Sequence, residues 1–423
     1  MSIHRRFATT VAISASFALD ACGARSDLVT HTTPPRDAAP RSDGSVIDAT
    51  FDASTLDAQR DAAPLDVFRP PCTWSVEAPS LVTQLPNDQL AGGSVGVPGG
   101  VLVAYTNNND PSPDPRYYIQ RVDELGVPTG DRHALFDHVG SYGVMSLAGR
   151  DSRYGAMAWD EARGCRFSTI DANGVASGTS QVLSPTLCRG LRGTPLGFVE
   201  SEDRGNALGL RMIDAAGTTT DVASDITSGQ TPRTYAVEVF DDGSIGVAWL
   251  AVDGILYQHF DANLAALTMP ARIAPMPATT TMTVRLVSLG TRLVIAWQSA
   301  TDSSDRTRDV FTAEITRDGS VMRPPAAVPG ASPLPGRNEL VLRAAHDDVL
   351  AGYIEGVGTM EWHFEVQVLD ASGVPRAEPL LVRGTQFVLD LGIVETSRGA
   401  LVTYVTGGAG STQVAATPLT CTR

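Results

Sequence analysis

The sequence has 423 residues, 43% hydrophobic and 19% charged, which is enough apolar material for one large repeat domain or two to three ordinary ones. Its formal net charge of −15 repels phosphate backbones and anionic lipid surfaces, and so disfavours nucleic acid as a partner. All 32 basic residues are Arg, which leaves no lysine for a Schiff base or a phosphate-binding loop.

Residues 1–21 predict an export signal. Arg5 and Arg6 supply a positive start, and Phe7 to Leu19 form an apolar core too short to span a bilayer, with small residues after it. Leu19-Asp20-Ala21-Cys22 then resembles the lipobox of bacterial lipoproteins through Leu19, Ala21 and Cys22; Asp20 stands where that family carries a small uncharged residue. The resemblance implies cleavage before Cys22 and acylation of its thiol and new amino group. Gly23, with no Asp after the cysteine, implies delivery to the outer membrane. Several acyl chains would hold the chain stably where one would bind only marginally. Plain secretion with an unmodified Cys22 is the alternative. Arg5-Arg6 also invites a twin-arginine reading, but Phe7 follows the pair directly, one position too early.

Residues 22–71 are rich in Ala, Asp, Pro, Ser and Thr, as in THTTPPRDAAPRSDGS, with few large apolar side chains. Such a composition cannot bury enough surface to offset chain entropy, so the stretch reads as a disordered tether. It would span roughly 40 Å as a flexible coil.

From residue 72 to 423 one pattern governs. A strand ending in or holding a large side chain recurs with Tyr105, Trp159, Phe198, Trp249, Trp297, Tyr353 and Tyr404, about every 50 residues. The copy from Thr234 to Ala274 shows the unit best, as four short strands around Ile245-Gly246-Val247-Ala248-Trp249. Four strands at this period predict an all-β fold, a β-propeller with seven four-stranded blades; six is the alternative because the copy at Phe198 is weak. A second marker ends the third strand: Asp123 to Gly126, Asp171 to Gly174, Asp214 to Gly217 and Asp370 to Gly373. Asp261-Ala262-Asn263 and Arg317-Asp318-Gly319 are degenerate copies. Asp accepts from backbone amides two residues on, and Gly or Asn takes the positive φ of a tight turn. One carboxylate per turn is too few for calcium. With the lipobox, these repeats resemble a bacterial β-propeller lipoprotein over residues 72–423.

Four cysteines remain once Cys22 is assigned to lipid. Cys72, Cys165, Cys188 and Cys421 allow three pairings in an exported chain. Cys72 and Cys421 bracket the repeats, and residues 73–76 lying beside 412–419 would close the ring and join them. Cys165 and Cys188 flank the outer half of the second blade. No Cys-x-x-Cys or Cys/His spacing indicates a metal.

No catalytic constellation stands out. Gly92-Gly93-Ser94-Val95-Gly96 matches a nucleophile elbow in letters, yet Val97-Pro98-Gly99-Gly100 leads into a strand where the elbow needs a helix. His133 and His138 flank Asp137 without a third ligand. Acidic residues gather after the second strands: Asp110, Asp114, Asp160, Glu161, Glu200, Asp302, Asp305 and Glu355, with Tyr117, Tyr118 and Trp362 placed near a rim. These predict an acidic face at the channel mouth that takes a protein or glycan ligand. The leading expectation is therefore a monomeric, lipid-anchored, non-enzymatic binding or scaffold module without cofactor. The rival is a glycoside hydrolase using two of those carboxylates, which requires separations near 5 or 7–9 Å.

Overall fold

A computed structural model describes residues from 70 onward, apart from 84–90, 108–115, 137–144, 161–162, 179, 186, 205–206, 224–225, 228–231, 233, 276–280, 301–307, 330–339, 357–361, 386–387 and 409–410. Among the described residues there are strands and turns and no helix. The leader, Cys22 and the tether lie outside them.

Two short strands come first, β1 (Thr73–Val76) and β2 (Ser80–Leu81). Six four-stranded sheets then follow, each from consecutive strands. The first holds β3 (Ala91–Val97), β4 (Gly100–Asn107), β5 (Arg116–Val122) and β6 (His133–Phe136). The second holds β7 (Met145–Arg150), β8 (Arg153–Asp160), β9 (Gly164–Ile170) and β10 (Gln181–Ser184). The third holds β11 (Cys188–Thr194), β12 (Gly197–Asp203), β13 (Leu208–Asp214) and β14 (Thr219–Ala223). The fourth holds β15 (Tyr235–Val239), β16 (Ile245–Ala251), β17 (Gly254–Phe260) and β18 (Ala271–Pro275). The fifth holds β19 (Thr281–Leu289), β20 (Arg292–Ala300), β21 (Arg308–Thr316) and β22 (Val321–Ala327). The sixth holds β23 (Leu340–Ala345), β24 (Asp348–Gly356), β25 (Trp362–Leu369) and β26 (Leu380–Thr385).

The seventh sheet closes the ring. Its strands β27 (Val388–Thr396), β28 (Gly399–Gly408) and β29 (Ser411–Thr422) take β1 as their outer edge, with Trp74 opposite Cys421 and Val76 opposite Leu419. β2 pairs with β29 farther along, at Ala415 and Ala416. Innermost strands touch in succession from β3 to β27, and β27 touches β3. The fold is a seven-bladed β-propeller. The weak third copy is a full blade, so six-bladed closure is set aside.

Packing explains why the second strands read as apolar runs. A core fills every junction between neighbouring blades, so a second strand is covered on both faces. All seven residues of β16 are buried. Outermost β22 is largely exposed and tolerates Pro324-Pro325, because an edge strand need not donate on its open side. Tyr105, Trp249, Trp297, Tyr353 and Tyr404 fill the junction toward the preceding blade. Trp159 packs instead toward the following blade. In the third blade Glu202 occupies the aromatic's place, five residues after Gly197 as Tyr105 is after Gly100.

The Asp turns form as expected, with one difference. Asp123 Oδ1 accepts from Leu125 N and Val127 N, both at 2.9 Å, and Asp171 Oδ1 from Asn173 N and Val175 N at 2.8 and 2.9 Å. Gly126 and Gly174 take φ +78° and +86°. In the degenerate copy after Asp261 the positive φ falls on Leu264, at 65°, and not on Asn263. The turn is counted from the Asp by three residues, whatever side chain arrives there.

Both disulfides are formed, Cys72–Cys421 and Cys165–Cys188. The second is not internal to a blade. Cys165 lies on β9 and Cys188 on β11, so it joins the second blade to the third.

Candidate functional site

Asp110, Asp114, Glu161, Asp302, Asp305 and His138 lie outside the described residues, and Asp160 is described only as the backbone end of β8. Two of the expected residues are described with their side chains. Glu200 is not in a loop: it sits within β12, fully buried. Tyr117 and Tyr118 are buried strand residues and not a rim. Trp362 begins β25 and packs against the core between the sixth and seventh blades. Ser94 lies within β3 and accepts from Thr403 Oγ1 at 3.3 Å, with no helix after it.

Glu200 belongs to an ionic cluster between the second and third blades. Arg211 Nη2 reaches Glu202 Oε2 at 3.0 Å, its Nε lies 3.5 Å from Glu200 Oε2, and Arg204 also pairs with Glu202. Burial, and then the Glu202 charge, push the Glu200 carboxyl up to about 8 against the pull of Arg211. Cys165, Cys188 and Glu200 bring potential metal-ligand atoms within 4.8 Å of one another. Both sulfurs are committed to the disulfide, which leaves the carboxylate as the one donor and makes the cluster structural.

Glu355 is the second-last residue of β24, half-buried, two residues along the ladder from Glu365 of β25. Burial, and then the Glu355 carboxylate beside it, push Glu365 up to about 7. Tyr353 Oη donates to Glu365 Oε2 at 3.4 Å, and His363 Nδ1 lies 3.9 Å from Oε1.

The feature the sequence reading missed is the arginine lining of the channel. The inner strands enclose a cavity of 490 Å³ lined by Arg189, Arg192, Tyr235, Glu238, Arg285 and Arg343, among others. Arg192 lies two residues before Thr194 and Arg343 two before Ala345, the last paired residues of β11 and β23; Arg285 lies on β19. Arg192 Nε donates to Val237 O at 3.1 Å and its Nη1 to Leu191 O at 3.0 Å. Arg285 Nη1 donates to Val284 O at 2.9 Å. Arg189 is paired with Asp203 at 3.0 Å. Glu238 Oε1 accepts from Ser288 N at 3.0 Å, and Tyr235 Oη donates to Ser201 Oγ at 3.0 Å.

Arg192 and Arg343 are exposed to the cavity and Arg285 is half-buried, yet the ring of strands surrounds all three. That enclosure lowers Arg192, with Glu238 opposing and Arg343 adding, and takes Arg285 down to about 10, with Arg192 as the next cause. Both stay charged at neutral pH. Burial raises Glu238 from its ordinary value. An acidic protein thus carries an arginine-lined interior.

No family model matches the sequence, and no curated protein matches it. Among solved structures, the chain is similar to the β-propeller domain of Cps50 (Swd1) from Myceliophteria thermophila. That match has 12% identity and a TM-score of 0.45, covering 81% of this chain and 99% of that one. It is also similar to a protein of unknown function from Bacteroides caccae, at 11% identity and a TM-score of 0.41, covering 70% and 94%.

Proposed function

We propose that the protein is an exported β-propeller, lipid-anchored at the outer membrane through Cys22, that acts as a non-enzymatic binding module at the cell envelope. The observation that carries the binding role is the channel, where charged side chains converge on one cavity and Arg192 and Arg285 are held in place by backbone carbonyls. The address is supported by the cysteines: the four of the propeller pair with each other, which leaves Cys22 as the one available for acylation. Labelling cells with palmitate should mark the wild type and not Cys22→Ala; label retained in that variant would remove the anchor from the reading.

The rival, glycoside hydrolysis, rests on Glu355 and Glu365, a neighbouring carboxyl pair beside the ring of Tyr353. The purified full chain should release no reducing ends from a panel of envelope oligosaccharides. Turnover abolished by Glu365→Gln would overturn the non-enzymatic reading.

A further inference from the structure

The channel carries an unbalanced charge. Arg192, Arg285 and Arg343 reach it from three different blades, and Glu238 is the acidic side chain that faces them among the described lining residues. Among the described residues none of these three guanidiniums is in ion-pair contact with a carboxylate, unlike Arg189, which is held by Asp203. Like charges gathered in an enclosed space raise one another's energy unless an anion joins them. The backbone bonds from Arg192 and Arg285 fix those guanidiniums in advance, so an arriving oxyanion does not have to order them.

We propose that the channel is a binding site for a small organic polyanion bearing carboxylate or phosphate groups, held by Arg192, Arg285 and Arg343. The planar guanidinium fork matches the two oxygens of either group. Val341, Leu391 and the ring of Tyr235 supply an apolar wall for a carbon skeleton. The cavity of 490 Å³ falls within the usual range for small-molecule sites. Glu238 sets an upper limit on the negative charge that is welcome there.

This inference rests on the binding-module reading and gives it a ligand class, and its test is independent of the lipid anchor. The detergent-purified full chain is titrated calorimetrically with citrate and, separately, with pyrophosphate, at low and at high salt. Saturable binding that weakens with salt is expected. Tighter citrate identifies a polycarboxylate, and tighter pyrophosphate a phosphate compound. Arg343→Gln should weaken binding about tenfold, the loss of one charged hydrogen-bonding group. Glu238→Gln should tighten it a few-fold, which a purely structural role for these residues would not produce. Arg398→Gln, which removes a surface pair with Glu77, should change nothing. Arg343 makes no hydrogen bond to a described residue, so its variant should fold, as circular dichroism would verify; should it fail to, Glu238→Gln carries the test. Absence of saturable binding to both anions below the millimolar range overturns the proposal. So does equal loss in Arg343→Gln and Arg398→Gln, or weaker binding in Glu238→Gln. Any of these leaves palmitate labelling of Cys22 unaffected, so failure of the ligand class and failure of the anchored module can be told apart.

Discussion

Glu200 lies beside Glu202 in a junction where five other blades place an aromatic ring. Folded, its carboxyl holds a proton up to about pH 8; unfolded, it returns to its ordinary value of 4.5. The native state therefore binds more protons than the unfolded chain between these values. Its stabilising contribution is complete below about pH 4.5 and is lost as pH rises through about 8. Urea unfolding at pH 5 and pH 8 should show the protein weaker at the higher value, and Glu200→Gln should flatten that difference. An unchanged pH slope in the variant would rule out Glu200 as its source. The sequence placed Glu200 in a loop because the third copy lacks the aromatic that marks a second strand elsewhere. The residue that obscured the repeat, Glu202, is the one that organises the ionic cluster. The channel arginines were illegible for another reason: they sit on inner strands of separate blades, and nothing local distinguishes them from solvated surface charges.

At the scale of elements, the Asp turn is what binds one blade to the last. Gly174 takes φ +86°, and a Cβ added there would lie 2.5 Å from Ile119 Cγ2 in the preceding blade. Gly126 and Gly373 meet their preceding blades in the same way. Gly174→Ala should therefore cost about 2–3 kcal/mol, from left-handed strain together with overpacking. Gly130 has φ +75° with nothing within 4 Å, so Gly130→Ala should cost only about 1 kcal/mol. Equal losses of melting temperature in the two would show that the inter-blade contact contributes nothing. This element was readable from sequence because its cause is local: one carboxylate accepts two amides, and the third residue after it must be left-handed. Leu264 shows the limit, since the geometry persists where the expected residue type is missing.

For the whole molecule, closure by β1 was legible because Cys72 and Cys421 bracket the repeats. The pairing runs nearer the chain end than expected, at 419–422 for β1, with β2 taking Ala415 and Ala416. Trp74 locks this strand by burying its ring between the sixth and seventh blades and donating to Asp348 Oδ2 at 2.8 Å. Replacing Cys72 and Cys421 by Ser should cost up to about 5 kcal/mol, and replacing Cys165 and Cys188 about 3, because the first closes a far longer loop. A urea midpoint lower after replacing Cys165 and Cys188 than after replacing Cys72 and Cys421 would refute the loop-length account. Cys165 and Cys188, which flank the outer half of the second blade in sequence, staple the junction where Glu202 replaces the aromatic.

The position of Cys72 also decides what mechanical load does to this fold. A pull on the chain ahead of residue 72 would, without the disulfide, strip β1 from β29 one hydrogen bond at a time, starting at Thr73. With Cys72 joined to Cys421, tension leaves the main chain before it reaches β1 and enters β29, a strand bonded along both of its edges. The load is then carried by a strand held on two sides and no longer by the short β1 alone.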